Sequence, residues 1–181
     1  MNRTTMKIRT LRSSLLLTST LTALLISTTG CSSTGYEIPT TICGRAIDPS
    51  ALQPLLPPGQ NFEARHQISE EDQSACFIFI DKANALIISE IRDQSRFDVM
   101  EFAKQNRRSS DNPRKSEVGD DTVTSDDWLI SMNACTGRGA GDYYVLDVSI
   151  ARETGEAKPQ ELERFTQSYL PEAMKEMGCT Q

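Results

Sequence analysis

The residues best suited to chemistry in this 181-residue chain are five cysteines, a single histidine and a large population of acids. Cys43, Cys76, Cys135 and Cys179 are spread along the chain, whereas Cys31 ends an apolar run. If the chain is exported, as argued below, the even set of four reads as two disulfides, with three possible connectivities. The favoured pairing is Cys43–Cys76 with Cys135–Cys179, because each bond would tie the end of a segment to a neighbouring strand. Zinc is the rival use of such thiols, but no CxxC spacing exists and only His66 offers an imidazole. His66 also has no cysteine or serine motif beside it to serve as a base. The pairs Asp120-Asp121 and Asp126-Asp127 flank "TVTS". They lack the spacing and the glycine of an EF-hand loop. Two carboxylates are the machinery of glycoside hydrolysis, so the 120–127 loop is the candidate site for an alternative function, a small carboxylate-dependent cell-wall hydrolase. Gly137-Arg138-Gly139-Ala140-Gly141 is glycine-rich, but a strand-like "DYYVLDV" follows it where a phosphate loop needs a helix N-terminus. It reads as a hairpin turn.

Cys31 follows a leader of distinctive composition. Residues 1–30 hold Arg3, Lys7, Arg9 and Arg12 and no acid, and "LLLTSTLTALLI" runs from Leu15 to Ile26. That run is shorter than the roughly 20 apolar residues of a transmembrane helix. A basic start, a short apolar stretch and small residues are the pattern of a secretory signal peptide. Thr28-Thr29-Gly30-Cys31 resembles the lipobox of bacterial lipoproteins. The resemblance implies that the leader is cut before Cys31, that the Cys31 thiol carries a diacylglyceryl group, and that the protein sits on the extracytoplasmic face of the cell membrane. Two or three acyl chains make a stable anchor where one does not. The small polar residues that follow, over 31–42, read as a flexible tether.

Without the leader the chain keeps 15 basic residues against 25 acids. So acidic a surface argues against a nucleic-acid partner and leaves a membrane contact to the lipid anchor. A cationic partner would suit it. No cofactor and no metal is expected.

The 151 residues left after the leader suffice for one domain, placed at 43–181. Asp48-Pro49 opens a short helix that Pro57-Pro58-Gly59 must stop. A strand is expected near Phe62–Ile68. "CFIFI" and "ALIISEIR" form a hairpin across Asp81–Asn84, and "SRFDVMEFAKQ" a helix that Ser95 would cap. "NRRSSDNPRKSEVGDDTVTSDD" reads as a long surface loop. "DWLISMNAC" and "YYVLDVSIAR" are strands; Tyr144, Leu146, Val148 and Ile150 share one face, and Trp128, Tyr143 and Tyr144 are expected in the core. The last segment forms a helix through Leu162, Phe165 and Tyr169, extended or kinked at Pro171. The predicted fold is α+β: an antiparallel sheet of two hairpin–helix units, helices mainly on one face, braced by two disulfides.

An ICG near the start of the domain, a cysteine leading a central strand and a helix ending at a terminal cysteine give an overall likeness. The chain resembles small exported lipoproteins of unassigned function found in actinobacteria. Some such families have α+β folds that bind partners and are not known as catalysts. The resemblance implies a membrane-anchored binding or interaction module of the cell envelope, with an envelope protein or a small ligand as partner.

Overall fold

The computed structural model describes residues 35–70, 72–107, 112–136, 141–151 and 156–179. The leader, Cys31, residues 31–34 of the expected tether and most of the glycine turn lie outside the described residues. The elements are β1 (Thr41–Ile42), β2 (Arg45–Ala46), α1 (Pro49–Leu52) with a 3-10 turn at Gln53–Leu55, β3 (Phe62–Glu70), β4 (Gln73–Ile80) and β5 (Ala83–Gln94). They continue with α2 (Val99–Asn106), β6 (Arg114–Ser116), β7 (Asp121–Thr124), β8 (Trp128–Ala134), β9 (Tyr143–Ile150) and α3 (Pro159–Glu176). Among the described residues no helix is long and apolar enough to cross a membrane.

The fold is α+β. Strands β3 to β9 form one seven-stranded sheet in the order β3-β4-β5-β9-β8-β7-β6, and every pair is antiparallel. Where the sequence suggests two hairpin–helix units, the structure has a three-stranded and a four-stranded meander joined along β5 and β9. The segment expected as one long loop contributes β6 and β7, and its Val123 is fully buried. A run of Asp, Thr and Ser hides a strand because its neighbours, not its own hydrophobicity, bury it.

Strand alternation divides the core in two. One face carries Ile78, Leu86, Ile88, Leu129, Leu146 and Val148 and is covered by α1 and α3, which adds Leu162, Phe165 and Tyr169. The other face carries Val123, Trp128, Ile130, Met132 and Val145 and is covered by α2 through Val99 and Ala103. The helices therefore lie on both faces, two on one and one on the other. Trp128 and Tyr143 belong to the α2 side and Tyr144 to the α3 side, so the three aromatics form no common patch.

Residues 35–42, expected in the tether, belong to the fold. The Gly35 amide donates to the Gly59 carbonyl at 2.9 Å, Tyr36 donates its hydroxyl to the Pro57 carbonyl at 2.8 Å, and Ile42 is 2% exposed. β1 and β2 form a hairpin around Cys43 and Gly44, whose φ angles of 48° and 78° make a two-residue turn of the kind antiparallel strands favour. Both disulfides take the favoured pairing. Cys43–Cys76 fastens this hairpin to β4 with Cα atoms 5.8 Å apart, and Cys135–Cys179 fastens the end of α3 to β8 with Cα atoms 4.6 Å apart.

Local ends are secured by carboxylates. Asp48 caps α1, and Asp98, rather than Ser95, caps α2 by accepting from the Glu101 amide at 2.8 Å. Asp81 in the β4–β5 turn accepts from Asn61 and from the Gln60 amide. These hydrogen bonds to Ser50, Asn61 and Glu101 respectively hold all three carboxyls below their ordinary value of 3.8. A carboxylate whose pKa is lowered by folding stabilises the fold above its unfolded value, and that contribution is lost as pH falls through the folded value.

Acid titration of unfolding free energy should therefore show stability dropping below about pH 3.8, with a shallower drop in Asp98→Asn. Replacing Cys43 and Cys76 together by serine should cost about 2–4 kcal/mol in denaturant unfolding.

Candidate functional site

Two places bring polar side chains together. The first is inside the domain. Glu90 lies on β5 with Leu86 and Ile88, facing α3, and is 4% exposed. Its register partner on β4 is Ser74, which donates to Glu90 Oε2 at 2.7 Å. Arg45, delivered by β2, forks onto the carboxylate with Nε 3.2 Å from Oε1 and Nη2 3.0 Å from Oε2. Tyr144 from β9 and Tyr169 from α3 donate their hydroxyls to Oε1 at 3.1 and 3.3 Å. Desolvation first, and then the charge of Glu90, push both phenols well above their ordinary pKa, so they remain donors. Five donor contacts meet one carboxylate, and Arg45 neutralises it. Such a group is saturated by the donors of its own cage. Its role is to hold five strands and helices in register.

The second place is open. Beyond Met132, which pairs with Asp121, strand β7 no longer reaches β8. The β6–β7 turn fills this position with Asp120, whose Oδ2 accepts from the Ala134 amide at 2.7 Å while its own amide donates to Asn133 Oδ1 at 3.1 Å. Asn133 Nδ2 donates onward to Ser131 Oγ at 3.0 Å, which is 2.7 Å from Thr122 Oγ1. Gly119 permits this close approach: its φ is +67°, and a Cβ there would stand 2.2 Å from Asn133 Oδ1. Across from these groups is the second half of α3. Leu170, Pro171 and Met174 face Asp120, Asn133, Ala134 and Thr136 over a groove of about 390 Å³. That volume falls in the ~300–1,000 Å³ range of small-molecule sites. The Cys135–Cys179 bond lies at one end, since Ala134 and Thr136 flank Cys135 and the Met174 carbonyl accepts from the Cys179 amide at 2.9 Å.

The structure assigns the acids of the 120–127 loop to separate tasks. Asp120 borders the groove. Asp121 pairs with Lys115, and Asp126 lies 3.8 Å from Arg114. The Asp127 backbone carbonyl accepts from the Ile150 amide at 2.7 Å. His66 is exposed on the edge strand β3 opposite Cys76. Sequence reasoning missed Glu90 and the groove. Only the acidic residue breaking an apolar strand, in "LIISEIR", signalled the first, and nothing local signalled the second.

No protein-family model matches this chain, and neither a curated protein nor a solved structure is detectably similar to it. The functional reading therefore rests on the chain's own residues.

Removing one partner of a buried ion pair strands the other charge. Arg45→Met should destabilise the protein by about 3–5 kcal/mol in denaturant unfolding, and Tyr169→Phe by about 1 kcal/mol. The Arg45→Met, Glu90→Gln double variant should recover part of the first loss.

Proposed function

We propose that this protein is a lipoprotein of the cell envelope, anchored at the extracytoplasmic face of the membrane through Cys31, and that its domain is a binding module. The observation that carries the binding reading is the groove between α3 and the end of β8. It combines an apolar wall at Leu170, Pro171 and Met174 with polar groups at Asp120, Asn133 and Thr136. Shape and mixed chemistry of this kind suit recognition of a ligand. The acids of the neighbouring loop, dispersed among structural partners, favour binding over carboxylate catalysis.

Three features support the location. The basic, acid-free leader and its short apolar stretch suit export. Gly30-Cys31 suits lipid attachment. Two disulfides brace the domain, and such bonds persist in oxidising compartments.

Mass spectrometry of the protein from its native membranes should find a chain that starts at Cys31 and carries acyl groups, and Cys31→Ser should move it to the soluble fraction. An unprocessed, unacylated start would overturn the location. For the binding reading, native mass spectrometry should show a bound species that is lost from Thr136→Trp, which fills the groove. Equal occupancy in that variant would count against the groove.

A further inference from the structure

We propose that the groove is a site for an organic cation, a primary ammonium carried on an apolar stem. This rests on the reading of the groove as a binding site and names the chemistry of what it binds.

The β8 side of the groove presents acceptors for a ligand. Asp120 uses Oδ2 for the Ala134 amide, and its Oδ1 has no hydrogen-bond partner among the described residues. Because Ala134 turns its amide toward Asp120, strand geometry turns its carbonyl to the same side, and β7 ends before reaching it. One of the two N–H donors of the Asn133 amide is engaged by Ser131. A carboxylate oxygen and a strand carbonyl side by side call for a ligand that donates hydrogen bonds and carries positive charge. An ammonium has three donors and no acceptor. The opposite wall is a different solvent. Leu170, Pro171 and Met174 offer hydrocarbon and a polarisable thioether, which accommodate a flexible aliphatic stem.

Long-range charge points the same way. Outside the leader, 25 acids face 15 basic residues, so the domain's field draws cations toward it and repels anions. Pre-organisation completes the site. Gly119 and the Asp120–Asn133–Ser131 bonds fix the carboxylate before any ligand arrives, and the Cys135–Cys179 bond holds α3 at its distance. The same head group occurs on free alkylamines and on lysine side chains of proteins.

The test uses the full chain in non-ionic micelles with methyl-labelled methionine, titrated with n-butylammonium, n-butanol, butyrate and N-acetyl-lysine methylamide while the Met174 methyl signal is followed. Butylammonium should shift that signal saturably, butanol should bind about tenfold more weakly, and butyrate should leave it unmoved. Asp120→Asn keeps an acceptor for the Ala134 amide and removes the charge; it should bring butylammonium down to the level of butanol without moving the thermal midpoint. Affinity of the unaltered protein for butylammonium should also fall as salt rises, which reads the charge with no substitution. Equal binding of butanol and butylammonium, or salt-independent binding, would overturn the cation and leave the groove as a binding site. A Met174 signal unmoved by every probe would overturn both. Tighter binding of the lysine derivative than of butylammonium assigns the ammonium to a protein side chain, and the reverse assigns it to a free amine.

Discussion

The architecture turns on one buried carboxylate. Glu90 sits near the centre of the sheet, on the face that α3 covers, and a charge there is tolerable only with a full set of partners. Those partners come from β2, β4, β9 and α3. Each element is thus positioned by the same few polar atoms. The N-terminal hairpin shows the economy of this scheme. It is only two residues on each strand, too short to be stable by itself, yet it delivers Arg45. The Cys43–Cys76 bond secures its turn to β4, two residues from Ser74, so a covalent link at Cys43 and an ion pair at Arg45 both fix the same small hairpin.

The sheet is also uneven across its width. Under the first half of α3 the β5–β9 region is aliphatic, and the helix packs closely onto Leu146 and Val148. Toward β7 the same face turns polar, with Thr122, Thr124, Ser131 and Asn133 all buried. Thr122, Ser131 and Asn133 bond to one another, and Thr124 donates to the Ser125 carbonyl, so this face offers little for an aliphatic helix to pack on. Pro171 falls in this part of α3, where it removes one backbone donor from the helical ladder. The groove opens where the aliphatic floor ends. On the opposite face Arg107 closes α2 by pairing with Asp147 and lying 5.2 Å over Trp128. Burial holds that aspartate's pKa up against the pull of the arginine.

Much of this was legible in the order of residues. Period-two alternation located β9, runs of β-forming residues located β8 and the β4–β5 hairpin, and three- and four-residue spacing located α3. Asp48-Pro49 announced α1 through capping alone. The cysteine pairing followed from the elements each bond would join. What stayed hidden depends on distance along the chain. Glu90 reads as an ordinary polar position until Arg45, Tyr144 and Tyr169 are brought to it from far away. β7 looks like a loop because Thr and Ser become buried only under α3. The groove is assembled from the 119–120 turn, the end of β8 and the last turns of α3, and no one of these segments carries a signal of it.

The central seam of the sheet pairs Leu86 on β5 with Ile150 on β9. A ribosome delivers the three-stranded meander well before its neighbour. Until β9 appears, the inner edge of β5 bears a row of unpaired amides and carbonyls beside aliphatic side chains, which is a template for pairing with other chains. Joining the two halves is a long-range closure, and topologies of that kind reach the native state slowly. The newborn polypeptide thus passes through an interval of exposure, and a helper that shields one strand edge during that interval would protect the whole molecule.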